Sequence, residues 1–426
     1  MIKSLFIVGF GSAFGMATTF LRGVILARIL GPSEYGLAVI LVAITGALDL
    51  FADAGIDRFI VQHRYGARSD LMRTSHAFRV WGSTIVGIGI VALAYPLSLI
   101  FKAPELALPI ALTGGVVALR GLINMSYKLQ QREHRFERET YIDTARFSVE
   151  VVVTTVVALM THSFWAVLVG AYANAVVQVA MSHLLASGPY SFRPRARVVG
   201  LVARFSTPIY INAAILFAAS QGDRMVVAAM FSKRQLALYA AASAIGQGIS
   251  ALASRMTMSI LLPRLAARGG DIVERRRRTN QLGALMIAGS LLFLLGMGVL
   301  GAPVVRILFG PEYGGLRNLI IACSIKEMIQ LEQNWLTTVL MANGRTTLFP
   351  VITGVRAFAF PAAIIFASMG LSILSIPLAF ALGATLSLGM SYYAARPLHL
   401  IDRRLLIGSF ARVVIAIVAV ALLAHP

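Results

Sequence analysis

Several stretches of this chain are almost wholly apolar, yet some of them carry ionisable residues. Arg22 lies in the first such stretch, and the pair Asp223-Arg224 lies in the seventh. An ionisable side chain within a bilayer is costly and usually faces a polar interior or a partner. A desolvated guanidinium group binds phosphate oxygens through two parallel hydrogen bonds, so these residues suggest recognition of an anion. The basic candidates within the stretches are Arg22, Arg120, Arg224, Lys326 and Arg356.

Three aspartates are spaced so that they would share one face of a helix. Asp49, Asp53 and Asp57 stand at positions i, i+4 and i+8. Three like charges on one face are unfavourable unless they meet cations, water or protons. The spacing therefore predicts a proton or sodium relay, or pairing with the arginines. In the alternative, Asp57 pairs with Arg58 or Arg64 at the cytoplasmic end, and only Asp49 and Asp53 are buried.

The other residue types predict neither a catalytic centre nor a metal site. The single cysteine, Cys323, excludes an intrachain disulfide, and the seven histidines show no ligand spacing. The glycine-rich segment 9–15 looks like a nucleotide-binding loop, but such a loop needs a strand before it and a helix after it. Because it lies inside an apolar stretch, Gly11 and Gly15 are expected to form a packing face. We expect no catalytic residue, no cofactor and no metal.

The composition is that of a polytopic membrane protein. Of the 426 residues, 58% are hydrophobic and 13% are charged. A soluble domain is about 45–50% apolar and about 25% charged. The composition therefore excludes a soluble globular enzyme, a disordered chain and a disulfide scaffold.

Thirteen apolar runs are long enough to cross a bilayer, which takes about 20 residues. They cover residues 4–27, 35–60, 78–101, 107–131, 143–161, 164–187, 203–231, 235–262, 281–304, 316–342, 346–368, 371–395 and 405–424. The first run has no clean cleavage site of the A-x-A type, so it is predicted to be a retained helix rather than a signal peptide.

The basic residues predict the orientation of these spans. If Lys3 lies in the cytoplasm and the chain alternates, the inner loops collect clusters such as Arg132, Arg135 and Arg138, whereas the outer loops hold few basic residues. This asymmetry follows the positive-inside rule. It predicts a cytoplasmic amino terminus and a carboxyl terminus on the opposite face of the membrane. The net charge of +20 is then explained by the inner loops, and nucleic acid is not expected as a partner.

The chain also contains a weak internal repeat with a period near 201 residues. Each repeat has six runs, an even number, so both would face the same way across the membrane, with the substrate site between them. The predicted organisation is an N-terminal lobe at 1–187 (helices 1–6), a cytoplasmic linker at 188–202, a C-terminal lobe at 203–395 (helices 7–12), and a cytoplasmic loop with an extra helix at 396–426.

By this repeat, Arg22 and Asp223-Arg224 lie at similar depth in opposite lobes. If they face inward, they place positive charge on both walls of a central cavity. The alternative is a structural ion pair between Arg22 and Asp223. Asp49, Asp53 and Asp223 are the predicted coupling or charge-balancing residues.

Six motifs follow one another at a characteristic spacing. They are Ala27-Arg-Ile-Leu-Gly-Pro-Ser-Glu-Tyr-Gly36, Asp53-Ala-Gly-Ile-Asp-Arg-Phe-Ile-Val-Gln-His-Arg64, Leu129-Gln-Gln-Arg-Glu-His-Arg-Phe136, Gly222-Asp-Arg-Met225, Leu262-Pro-Arg-Leu265 and Arg306-Ile-Leu-Phe-Gly-Pro-Glu-Tyr313. In order and spacing they resemble the polysaccharide transport (Wzx-like) flippases of the multidrug/oligosaccharidyl-lipid/polysaccharide exporter superfamily. The segment Arg22 to Gly31 also resembles the lipid II flippases of that superfamily, in which both arginines of the pattern line an anion-binding cavity. That resemblance adds Arg28 to the expected substrate-binding residues. It also implies a location in the bacterial inner membrane, with the carboxyl terminus in the periplasm.

The resemblance implies a V-shaped, all-α, two-lobed flippase that is not an enzyme. Its substrate would be a polyprenyl-diphosphate-linked oligosaccharide, moved from the cytoplasmic to the periplasmic face by alternating access. It would act as a monomer in the lipid bilayer, alongside a polysaccharide polymerase and chain-length proteins. Two alternatives stay open at this point, namely a cation-coupled multidrug exporter of the same superfamily and a membrane polymerase or ligase.

Overall fold

The chain is helical throughout its described part, and no strand occurs there. The computed structural model describes residues 2–53, 55–186, 188–193, 195–258, 262, 265 and 271–424. Its α-helices are α1 Ile2–Asp53, α2 Ile56–Gln62, α3 Ser69–Ile100, α4 Ala107–Gly121, α5 Glu137–Thr161, α6 Trp165–Leu184, α7 Ala196–Met230, α8 Lys233–Met256, α9 Ile272–Phe309, α10 Arg317–Ala342, α11 Phe349–Ala357, α12 Ala359–Ser368, α13 Ser375–Ala395 and α14 Arg403–Ala424.

The helices confirm an all-α, multi-pass membrane protein. Nine of those in the described part are long and apolar enough to cross a bilayer, and Pro104–Gly121 with Met125–Glu133 forms a bent tenth candidate. Each of the thirteen predicted runs overlaps a described helix. The first run falls in α1, which is kinked at Gly31, and the second run covers the end of α1 and most of α2. In α10, the ionisable side chains of Lys326, Glu327 and Glu332 lower the mean hydropathy, although all three are buried.

The prediction that three aspartates share one helical face is wrong. α1 ends at Asp53, and Asp57 belongs to the separate helix α2. Gly55 lies between them with φ at 100°, a backbone conformation that breaks a right-handed helix and favours glycine. The side chains of Asp49 and Asp53 lie outside the described part of the chain.

Three of the predicted spans have different boundaries from those expected. Run 107–131 bends by 55° after α4, and run 346–368 is divided into α11 and α12. Run 281–304 is the middle of α9, whose 38 residues extend for about 57 Å at 1.5 Å per residue. A hydrocarbon core is about 30 Å thick, so the ends of α9 project beyond it. The basic run Arg275 to Arg278, which precedes the apolar run 281–304, therefore lies within the first turns of α9.

The chain divides into two compact units, Met1–Phe217 and Ala218–Pro426, with the division inside α7. In the first unit, α1 packs against α5 through small residues, as the sequence predicts. A Cβ atom on Gly11 would lie 3.1 Å from Thr140 Cγ2, and one on Gly15 would lie 2.8 Å from Phe147 Cε2. Arg22 lies seven residues after Gly15, on the same face of α1, so this close approach brings it to α5.

The second unit is built around α10. Ile325, Met328, Ile329 and Trp335 of this helix form a buried apolar cluster with residues of α13 and α14. Trp335 Nε1 donates to Thr279 O of α9 at 3.0 Å, which fixes the indole between the two helices. α10 is therefore buried on several sides, and its polar residues face other helices.

The Gly-Pro motifs after Arg28 and Arg306 adopt the same backbone conformation. Gly31 has φ 68° and ψ 169°, and Gly310 has φ 114° and ψ 168°. This region is essentially restricted to glycine. In both motifs a proline follows and the tyrosine (Tyr35 or Tyr313) is buried. The two motifs are thus equivalent turns, and each closes a long helix.

Candidate functional site

A buried polar chain in the first unit joins Arg22 to Arg120. Arg22 Nη1 of α1 donates to Glu150 Oε1 of α5. Asn174 Nδ2 of α6 donates to Glu150 Oε2 at 2.7 Å, and Arg120 Nη2 of α4 donates to Asn174 Oδ1 at 3.2 Å. Glu150 and Arg120 are each 8% exposed, and Asn174 is fully buried. Glu150 of α5 therefore contacts α1 and α6, and Asn174 extends the chain to Arg120 of α4.

Arg22 forms its ion pair with Glu150. Glu150 is the acidic member among the described residues of this cluster, whereas Arg22 and Arg120 are both basic. Their side chains are largely buried, so the cluster places two guanidinium groups and one carboxylate away from water.

The second unit holds its own buried charges, around Asp223 at the end of α7. Lys326 Nζ of α10 lies 2.6 Å from Asp223 Oδ2, and Tyr239 Oη of α8 donates to the same oxygen at 2.9 Å. Lys326 also lies 3.3 Å from Glu327 Oε1. Asp223 is fully buried and Lys326 is 3% exposed. The ammonium group of Lys326 is thus engaged by two carboxylates.

Arg224 is fixed by neutral side chains. Its Nη2 donates to Gln247 Oε1 at 2.7 Å and to Ser243 Oγ at 3.4 Å, and its Nη1 donates to Gln221 Oε1 at 3.2 Å. Its buried Nε atom has no hydrogen-bond partner in the described part of the chain. Because amide and hydroxyl oxygens orient the guanidinium group without neutralising it, Arg224 keeps a full positive charge and an unused donor.

Arg356 of α11 is held in the same manner. Its Nη1 donates to Gln330 Oε1 of α10, and its buried Nε atom also has no hydrogen-bond partner among the described residues. Arg356 interacts electrostatically with Glu327 and Asp223. Among the described residues, the charged set of this unit has three bases (Arg224, Lys326 and Arg356) and two acids (Asp223 and Glu327).

Asp57 belongs to a separate ion-pair cluster and lies on the short helix α2, which is not one of the candidate membrane spans. Its Oδ1 accepts from Arg79 Nη1 at 2.9 Å, and its Oδ2 accepts from Lys128 Nζ. Of the two expected partners, Arg64 does not lie within 4.0 Å of Asp57, and the side chain of Arg58 lies outside the described part of the chain. Burial opposes ionisation of Asp57, but Lys128 and Arg79 outweigh it and hold the pKa of Asp57 below its ordinary value. This cluster ties α2 to α3 and to the 3-10 helix Met125–Glu133.

The structure thus brings some of the predicted residues together and leaves others apart. Arg22 joins Arg120, and Lys326 joins Asp223, with Arg224 next to it. Arg28, six residues after Arg22 on α1, exposes its side chain.

The sequence analysis missed the amide side chains that orient the arginines. A usable signal was available, since amides within apolar runs usually bind another helix. These residues are Asn174, Gln221, Gln247 and Gln330.

A family model described as polysaccharide biosynthesis protein matches residues 25–316, which is more than half of the chain. The chain belongs to this family. Succinoglycan biosynthesis transport protein ExoT of Rhizobium meliloti is 24% identical over 302 residues, 68% of this chain and 58% of that protein. Amylovoran biosynthesis protein AmsL of Erwinia amylovora is 22% identical over 300 residues, 68% of this chain and 75% of that one. The matched region thus spans less than two thirds of the length of ExoT.

Solved structures identify the fold. Lipid II flippase MurJ, in an inward closed conformation, aligns with a TM-score of 0.74 at 13% identity, over 100% of this chain and 94% of that one. An inward-facing multidrug resistance MATE family transporter of the MOP superfamily aligns with a TM-score of 0.61 at 15% identity, over 96% of this chain and 95% of that one. The chain therefore has the fold of the transporters of this superfamily, as its motifs indicated.

Proposed function

We propose that this chain is a flippase for polyprenyl-diphosphate-linked oligosaccharides, the precursors of exopolysaccharide, O-antigen or capsule. It would move them by alternating access from the cytoplasmic to the periplasmic face of the bacterial inner membrane. The family, the relatives named for succinoglycan and amylovoran biosynthesis, and the fold shared with a lipid II flippase support this function.

The main structural support for the proposal is the guanidinium group of Arg224. Amide oxygens fix it, no carboxylate among the described residues lies within 4.0 Å of it, and its Nε atom is unused. A diphosphate offers oxygens that match such donors. Arg22, Arg120 and Arg356 would assist, while Lys326, Asp223 and Glu150 would balance charge. Arg28, Asp49 and Asp53 keep their proposed roles in substrate binding and coupling.

A multidrug exporter is the second candidate, because the fold is also that of MATE transporters. A site for cationic drugs should hold more acids than bases, whereas the buried clusters of both units have more bases. A polymerase or ligase would need catalytic groups in a sizeable outer loop, which the sequence does not provide. The polymerase and chain-length partners and the monomeric state stay predictions.

The deciding experiment is the sidedness of lipid-linked glycan in cells that lack this protein. Intact spheroplasts are treated with a glycan-cleaving enzyme that cannot cross the membrane. The proposal expects a polyprenyl-linked oligosaccharide that accumulates and is protected, and that disappears when the wild-type gene is restored. Accumulation in an accessible form would place the defect after translocation. With other flippases removed, a lack of any accumulation would favour the exporter.

A further inference from the structure

Glu332 is a buried acid that neither of the proposed anion-binding clusters uses. It lies on α10, six residues after Lys326, and is 1% exposed. Among the described residues, no basic side chain lies within 4.0 Å of its carboxyl group, whereas Glu327 of the same helix has Lys326 at 3.3 Å. A buried carboxylate without a cation is costly, so Glu332 requires another means of neutralisation.

The carboxyl group of Glu332 stands where three helices meet. Ser290 Oγ of α9 lies 2.9 Å from Glu332 Oε1, and Ser409 Oγ of α14 is hydrogen-bonded to Glu332 Oε2. A small cavity beside the carboxyl group is lined mainly by apolar side chains, among them Trp335, Leu388 and Phe410. Glu332 is therefore a polar junction in an otherwise apolar interface, and it links α10 to the helix that follows the internal repeat.

The hydrogen bonds around the carboxyl group can accommodate a proton. Ser290 Oγ lies 2.8 Å from Ile287 O as well as 2.9 Å from Glu332 Oε1, so its hydroxyl group can donate to the carbonyl oxygen while it accepts from a protonated carboxyl group. Ser409 Oγ then donates to Glu332 Oε2. The protonated group therefore keeps both serine contacts and carries no buried charge, whereas the ionised group would be a buried carboxylate with no base within 4.0 Å among the described residues.

Among the described residues of the neighbouring helices, only Arg412 acts on Glu332, and it lies more than 4.0 Å from the carboxyl group. α13 contains no charged residue, and the charges of α9 lie at 274–278 and at Arg306, near its two ends. On α8, Arg255 is exposed. Arg412 of α14 acts on Glu332 electrostatically, but its Nε donates to Gly408 O at 2.8 Å. Lys326 and Glu327, earlier on α10, are engaged with each other and with Asp223.

We propose that Glu332 binds a proton and that its protonated carboxyl group holds α14 against α9 and α10. Loss of the proton would leave an unpaired negative charge at this junction. The charge would draw water into the cavity and weaken the contact through Ser409. This site is independent of the substrate proposed above, because it requires only that the chain be folded in a membrane.

Infrared spectroscopy of the full-length protein in lipid nanodiscs tests the protonation. A protonated carboxyl group has a carbonyl stretching band that a carboxylate lacks. At neutral pH the wild type should show this band, Glu332→Gln should lose it, and the matched variant Glu327→Gln on the same helix should retain it. An equal band in wild type and Glu332→Gln would overturn the proposal, as would a band controlled by sodium concentration at constant pH.

A distance measurement tests the docking of α14. Spin labels are attached at Ala411→Cys and Leu285→Cys, both exposed positions, after replacement of the buried Cys323 by serine. In the wild type, the distance distribution should broaden over the same alkaline range in which the infrared band disappears. Glu332→Gln, which keeps a neutral hydrogen-bonding group, should stay narrow at every pH, and Ser409→Ala should be broad at every pH. If the distance distribution stays unchanged when the infrared band disappears, the docking role is overturned.

Discussion

Arg224 is the residue on which the proposed anion site depends most. Its charge is oriented by Gln221 and Gln247 but not neutralised by them. A hydrogen bond to a charged group contributes about 1.5–3 kcal/mol, so Arg224→Gln should weaken binding of a short-chain polyprenyl diphosphate about ten- to a hundredfold. Arg224→Lys should retain part of the affinity, because lysine keeps the charge but loses the planar geometry.

The matched control for that measurement is Arg234→Gln, which removes an exposed arginine from the first turn of α8. Binding can be followed by calorimetry in nanodiscs. If Arg224→Gln and Arg234→Gln weaken binding equally, the effect is due to net charge alone. Unchanged binding in Arg224→Gln, with normal protein levels, would remove Arg224 from the site.

Arg22 and Glu150 form the second residue-scale test. Their side chains are 12% and 11% exposed and form a direct ion pair. Removing one partner of a buried pair leaves an uncompensated charge and costs about 3–5 kcal/mol. Glu150→Gln should therefore lower the thermal unfolding midpoint strongly, and Arg22→Met with Glu150→Leu should recover most of the loss. A double variant as unstable as the sum of the two single variants would show that the pair is not coupled.

At the scale of elements, the packing of α1 on α5 sets where Arg22 lies. Gly15→Leu would push a side chain into Phe147, whose Cε2 lies 2.8 Å from the position of a Cβ atom. Overpacking of this kind costs about 1–3 kcal/mol. Gly9→Leu is the matched control, because a Cβ atom there meets nothing within 4 Å. We expect lower thermal stability and transport for Gly15→Leu alone, and equal behaviour of the two variants would contradict this packing role.

The existence of the helices was predictable, but many of their ends were not. An apolar run marks the part of a helix that contacts lipid. In α9 it therefore covers the middle of the helix and leaves out the first turns, which include Arg275. Those turns satisfy their own backbone hydrogen bonds and need no apolar side chains. The break before α2 was missed for a different reason. It depends on the positive φ of Gly55, which changes no pattern of hydrophobicity.

The charged residues were predictable as a set, whereas their pairing was not. Arg22 and Arg120 stand out because they interrupt apolar runs. Their link through Glu150 and Asn174 depends on how α1, α4, α5 and α6 pack, which spacing along the chain does not encode. The same holds for Lys326, which was expected to bind an anion and is engaged by Asp223 and Glu327.

At the scale of the whole chain, the predicted repeat would pair positions with exchanged charges. Arg120 and Lys326 stand 206 residues apart, and so do Glu150 and Arg356. In the first half Arg22 is basic and Glu150 is acidic, while in the second half Asp223 is acidic and Arg356 is basic. Among the described residues, each cluster holds one more base than acids, so the predicted repeat would conserve the charge balance although the individual residues differ.

The orientation of the whole chain is the last prediction, and the single cysteine makes it testable. Cys323 is 2% exposed, so Cys323→Ser should be tolerated and should provide a silent background. In that background, the positive-inside distribution predicts that Ala67→Cys is labelled only from the cytoplasmic side and Ser372→Cys only from the periplasmic side. Both positions are exposed, which makes them matched reporters.

A membrane-impermeant maleimide applied to intact spheroplasts, and then to inverted vesicles, measures each side. The reversed labelling pattern would show that the chain has the opposite orientation in the membrane, and the proposed direction of transport would then be reversed. Labelling of both cysteines from one side would instead show that the number of membrane crossings between residues 67 and 372 is even, against the odd number that the predicted runs require.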